Sequence, residues 1–141
     1  MSPDGYDEDW ASSLTAMRRV QSESINARIV LGGRVTKFKG LMPGIAEEAD
    51  FALRARHPLY LMGGFGGCAR DIATDMGLIA ATGISADWPG RTRFSSWGAN
   101  DLSNGLELDE NRTLARTVHI DQAVALILRG MLRLRPRASH N

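Results

Sequence analysis

The sequence predicts an α/β fold in which a parallel sheet is flanked by helices and is incomplete within this chain. Three observations carry this. Two short apolar runs, Arg28–Leu31 and Pro58–Met62, each lead straight into a glycine turn; a helical pattern lies between them; and a second helical pattern opens directly after the second turn. Buried parallel strands read as near-continuous apolar runs, and strand, helix and strand within about 35 residues is the size of a parallel crossover unit.

Taken in order, Leu14, Met17 and Val20 recur at three-residue spacing with Ser12 or Ser13 before them, predicting a helix over Ser13–Glu23. The β-branched run Arg28–Leu31 stops at Gly32-Gly33 and is read as the first strand. Pro43 suits a first helical turn, which needs no amide donor there, and Ile45, Ala49, Ala52 and Leu53 mark one face of a helix over Pro43–Arg56. After the second strand and Gly63–Gly67, a helix over Cys68–Met76 ends at Gly77, and a third strand is expected within Leu78–Ile84. Gly83–Asn104 reads as a long loop anchored by Trp88 and Trp97, in the position of a lid. Helices over Asp109–Arg116 and Ile120–Leu134 follow; the second carries the stripe Ile120, Val124, Ile127, Leu128, Met131 and Leu132, which can pack on its own sheet or on a second copy.

Length and composition bound the class. At 141 residues, 43% hydrophobic and 23% charged, the chain has the make-up of one globular unit. The expected organisation is an acidic disordered tail over 1–11, a single domain over 12–135 and a flexible tail over 136–141. Asp4, Asp7, Glu8 and Asp9, with no basic residue among them, are the opposite of a secretory or mitochondrial leader, so a cytoplasmic location is expected. No apolar run approaches the ~20 residues of a membrane span. Cys68 is the only cysteine, which excludes an intrachain disulfide and a paired-thiolate zinc site, and His57, His119 and His140 lack metal-ligand spacing. No metal or cofactor is expected. A net charge of +1 gives no general pull towards nucleic acid, although Arg129, Arg133, Arg135 and Arg137 gather near the end.

Chemistry concentrates over 28–48, where a strand ends in Gly32-Gly33-Arg34 and Pro43-Gly44-Ile45-Ala46-Glu47-Glu48 opens a helix. Glycines let a phosphate or ribose approach the backbone, a helix start offers free amides and a positive dipole end, and a first-turn acid can hold ribose hydroxyls. The same residues also satisfy a plain tight turn followed by dipole-matching acids, and the pattern alone leaves both readings open.

The order Met17-Arg18-Arg19, Asn26-Ala27, strand, glycine pair and Pro-Gly-x-x-Glu-Glu helix start resembles the SLOG superfamily, the Rossmann-like proteins grouped around DprA and the LOG phosphoribohydrolases. The later Pro58-Leu59-Tyr60-Leu61-Met62-Gly63-Gly64-Phe65-Gly66-Gly67 adds to the resemblance, which covers about Leu14–Met76. It implies a Rossmann-like sheet, with Glu47 and Arg18 or Arg19 in the positions of the family's catalytic groups. It further implies that Gly32, Gly33, Arg34, Gly44 and Glu48, with Gly63, Gly64, Gly66 and Gly67, line a nucleotide site. Two departures stand out: residues 34–43 separate the glycines that LOG proteins keep in one compact loop, and Ile45 or Ala46 replaces the family threonine. The function the resemblance implies is binding of a nucleotide or nucleotide-derived ligand, in a sensor or processing module associated with defence. LOG-like N-glycosidic hydrolysis of nucleoside monophosphates or NAD-derived nucleotides is the enzymatic alternative, and a non-catalytic oligomerisation subunit the third. A homo-oligomer, or a partner chain supplying further strands, is expected to complete the sheet.

Gly64-x-Gly66-x-x-Ala69 also satisfies the form of a dinucleotide fingerprint, with Asp87 where a ribose acid would fall. It follows the second strand rather than the first, so it is a weak match. Cys68 at a helix start is read as a small core residue, and the serines lack the setting of a nucleophile elbow.

Overall fold

The computed structural model describes residues 27–35, 42–81 and 87–134, together with Thr15. Its elements are β1 (Arg28–Leu31), α1 (Gly44–Ala55), β2 (Leu59–Met62), α2 (Gly67–Asp75), α3 (Leu108–Arg116) and α4 (Ile120–Leu134), with 3-10 turns at Gly63–Phe65, Arg91–Ser96 and Ala99–Leu102. The helix expected over Ser13–Glu23 lies outside the described residues, apart from Thr15. No described helix is long and apolar enough to cross a membrane.

β1 and β2 pair in parallel, Arg28 opposite Leu59 and Leu31 opposite Met62, joined by α1 as the crossover. Side chains alternate across the sheet with a period of two. Val30, Leu59 and Leu61 face α1 and α2, where they join Ala46, Ala49, Ala52, Leu53, Ile72 and Ala73 in one buried cluster. Tyr60, Met62 and Ile29 face the other way, onto Leu114 of α3 and Ala123, Ile127 and Met131 of α4. The molecule is therefore three layers deep, and β2 is buried along its whole length because it is covered on both faces. Most of the α4 stripe packs on its own chain; Leu132 stays exposed.

Two corrections follow from packing. Of the strand expected within Leu78–Ile84, residues 78–81 are not a strand, since they leave α2 through Gly77 at φ +79 and Leu78 turns back into the core, while residues 82–84 lie outside the described residues. The stretch from Trp88 to Asn104 is not an open loop or lid, because Trp88, Phe94 and Leu102 are buried and two 3-10 turns carry the chain between them. Both described loop tryptophans act as anchors: Trp88 sits edge-on to Phe94 and donates its indole N–H to Asp71 at 2.9 Å, and Trp97 packs against the same cluster. Arg91 adds a bidentate clamp, bonding Asp75 at 2.7 and 3.1 Å and lying 3.5 Å from Asp71.

Among the described residues, the outer side of β2 is met by side chains rather than by a strand. Asn104 donates to the Leu59 carbonyl at 2.8 Å and to Asn111 Oδ1 at 2.7 Å, and the Tyr60 hydroxyl donates to the Asn104 carbonyl at 2.9 Å. All three side chains are buried, so each bond satisfies a group that would otherwise be costly to desolvate.

Candidate functional site

The chain leaves both strands at the same end of the parallel sheet, the end where ligands gather in open α/β folds. Here the turn after β1 meets the starts of α1 and α2. A side chain placed at Gly33 would meet Ile45 Cγ1 at 2.9 Å and Cys68 Cβ at 3.1 Å, and one at Gly67 would lie 2.6 Å from the Gly32 carbonyl carbon. The structure thus brings Gly32, Gly33, Gly44 and Gly67 to one junction.

What the two helix starts offer is very different. In α2, the Cys68 amide donates to the Gly33 carbonyl at 3.1 Å and the Ala69 amide to the Gly32 carbonyl at 2.8 Å. Those are the amides a dinucleotide fingerprint would give to a pyrophosphate, so this helix start is consumed in holding β1. In α1, the Glu47 amide donates to the Pro43 carbonyl at 3.0 Å and the Ala46 amide to Cys68 Sγ, while Gly44 and Ile45 have no acceptor among the described residues. Gly44 is exposed, and nothing lies within 4 Å of where a side chain would project from it. Among the described residues, the Gly44 and Ile45 amides at the positive end of a twelve-residue helix are therefore left without a protein acceptor near Gly32-Gly33. Arg34, next along the turn, is exposed.

The two first-turn acids are exposed but not equivalent. Glu47 lines a groove of about 710 Å³ between α1 and the 89–93 segment, whose other walls are Met42, Asp50, Phe51, Arg54, Pro89, Gly90 and Arg93. Glu48 is not part of it. Asp50 is 3% exposed and is paired with Arg54 at 3.1 Å and Arg93 at 3.2 Å, so one buried carboxylate fixes the guanidiniums on both sides of the groove. Phe51, 52% exposed, is steadied edge-on by His57 at 5.5 Å between ring centroids. Sequence reading missed Asp50, Phe51 and Arg93. Their spacing on α1 (Glu47, Asp50, Phe51, Arg54) is one helical face, but the wall opposite comes from a segment about 40 residues downstream and has no local signature.

Gly63 and Gly64 sit apart from this junction. A side chain at Gly64 would strike the Thr117 and Arg116 carbonyl oxygens at the end of α3, and one at Gly63 the Ala115 carbonyl. Their lack of side chains lets α3 approach the β2 turn. With Arg70, Ile79, Ala80 and Arg116 they line a separate depression of about 430 Å³. Gly66 is half-buried at φ +82 and faces open space. Arg18 and Arg19 lie outside the described residues.

Cys68 is fully buried; burial first, then the nearby Asp71 carboxylate, push its thiol up to about 12, so it remains a neutral packing group. Among the described residues no group of three or more histidine, cysteine, aspartate and glutamate side chains comes together to hold a metal ion. Arg129 and Arg133 both bond Glu110, tying α4 to α3.

A family model described as SLOG cluster2 matches residues 3–85, more than half of the chain and the part that contains β1, α1, β2 and α2. No curated protein and no solved structure matches it.

Proposed function

Because the chain belongs to the SLOG cluster2 family, we propose that it binds a nucleotide or nucleotide-derived ligand at the junction of β1 and α1. The phosphate sits on the open Gly44 and Ile45 amides beside Gly32-Gly33, with Arg34 supplying charge, and the ribose lies against Glu47. The observation that carries this reading is the contrast between the helix starts: the Cys68 and Ala69 amides of α2 are bonded to the Gly33 and Gly32 carbonyls, whereas the Gly44 and Ile45 amides of α1 have no acceptor among the described residues. A helix start with unsatisfied donors and a glycine approach is the arrangement that accepts a phosphoryl group. Glu47 is favoured over Glu48 as the ribose acid because it opens onto the groove.

A thermal-shift titration with AMP, ADP-ribose and NAD, read against inorganic phosphate, tests it. Saturable stabilisation by at least one nucleotide, reduced by Arg34→Ala, is the expected result; no stabilisation by any of them contradicts the proposal.

The position of Glu47 supports a second reading. Its carboxylate opens onto the groove with no ion-pair partner among the described residues, placing it where it could stabilise developing positive charge on a ribose ring or orient a water for N-glycosidic cleavage. Release of free base from AMP that disappears in Glu47→Gln supports this reading; bound AMP recovered intact leaves a sensor.

A further inference from the structure

We infer that the groove along the flank of α1 is the subsite for the nucleotide's base, with Phe51 as its stacking platform; this rests on the nucleotide reading above. Three features of the groove support it. The first is continuity. Met42 lies beside the open start of α1, and Glu47, Phe51 and Arg54 then line the groove along the helix. At a rise of about 1.5 Å per residue, Gly44 to Phe51 spans about 10 Å. A nucleotide laid along this flank puts its phosphate at Gly44, its ribose at Glu47 and its base at Phe51.

The second is chemistry. Phe51 is the exposed aromatic ring of the groove, held at a fixed angle by His57, whereas the aromatic side chains nearby in the loop, Trp88 and Phe94, are buried in the core. Base-on-aromatic stacking tolerates any base and needs an exposed, oriented ring. Met42 and Pro89 supply further apolar wall. The third is electrostatic preparation. Asp50 pairs with both Arg54 and Arg93, and the four charged side chains of the groove, Glu47, Asp50, Arg54 and Arg93, sum to no net formal charge, while the phosphate end keeps Arg34. The volume of about 710 Å³ falls within the ordinary range of small-molecule sites.

The test compares AMP with ribose 5-phosphate, which keeps the phosphate and sugar but lacks the base, on the wild-type chain, Phe51→Ala and Phe51→Trp, by calorimetric titration. Phe51 is half-exposed, so neither substitution opens a core cavity, and circular dichroism melts check that both variants remain folded. The expected result is tighter binding of AMP than of ribose 5-phosphate by wild type. Phe51→Ala should weaken AMP about ten-fold or more while leaving ribose 5-phosphate within about two-fold, and Phe51→Trp should restore AMP affinity. If AMP binds wild type and Phe51→Ala equally, the base subsite is overturned and the phosphate site stands. If neither probe binds wild type, the nucleotide reading itself fails and the subsite with it.

Discussion

Replacing Gly67 with alanine should be among the most damaging single changes near the site, and its cost can be worked from the geometry. Gly67 adopts φ +68, and a side chain there would lie 2.6 Å from the Gly32 carbonyl carbon and 2.7 Å from the Gly33 carbonyl oxygen, both backbone atoms that cannot swing aside. The left-handed conformation costs a non-glycine residue roughly 1–2 kcal/mol. Pushing the β1 turn away also strains the bonds from Cys68 to Gly33 and from Ala69 to Gly32, each worth about 0.5–1.5 kcal/mol net. The sum is about 2–5 kcal/mol, a large share of the roughly 5–15 kcal/mol that stabilises a typical domain. Gly77 supplies the control: it has φ +79 but no atom within 4 Å of the added carbon, so Gly77→Ala should cost only the conformational part, roughly 1–2 kcal/mol. Urea unfolding followed by circular dichroism measures both. A loss in Gly67→Ala no larger than in Gly77→Ala would refute the claim that the start of α2 is spent on the end of β1.

Other consequences are more local. Arg133 first, then the Glu107 amide and Arg129, hold the Glu110 carboxyl down at about 2 from its ordinary 4.5. A carboxylate lowered by folding stabilises the native state above its unfolded value, and that contribution is lost as pH falls from about 4.5 towards 2. Glu110→Gln should therefore flatten the acid side of the stability profile measured by melting temperature; an unchanged slope would count against the α3–α4 tie. Cys68, buried and neutral, should react with a thiol reagent at pH 8 far more slowly in the native protein than in urea, and native labelling as fast as unfolded labelling would contradict its packing role. Tyr60→Phe removes the hydroxyl that donates to the buried Asn104 carbonyl and should cost about 1–2 kcal/mol in denaturant unfolding; a cost near zero would show that the carbonyl finds another donor.

The parts of this fold that are written locally were legible in the sequence. β1 coincides with the apolar run Arg28–Leu31, α1 starts one residue after Pro43, and α4 occupies the apolar stretch Ile120–Leu134, because strand burial, proline at a helix start and a 3.6-residue period leave marks in consecutive residues. The segment after Trp88 looks like an open loop in the sequence because short 3-10 turns have no strong period; its order comes from Trp88, Phe94 and Leu102 seated in a core built by other elements, and from the Arg91 clamp. Asn104 was invisible for the same reason, since a polar residue in a glycine-rich stretch gives no sign that it meets the outer side of β2. At the candidate site the glycines announced a close approach but not its partner. Gly67 turned out to serve the Gly32-Gly33 backbone, and Gly64 the end of α3, contacts that only the assembled layers define.

The central claim is that the start of α1, not that of α2, is the phosphate seat. Backbone amide resonances of the isotopically labelled chain, followed during titration with AMP, test it directly. The account predicts that the Gly44 and Ile45 amides shift most strongly and saturably, with Gly32 and Gly33 beside them, while Cys68 and Ala69, already bonded to β1, move little. Shifts centred instead on Gly63, Gly64 and Arg70, or no saturable shift anywhere, would contradict it.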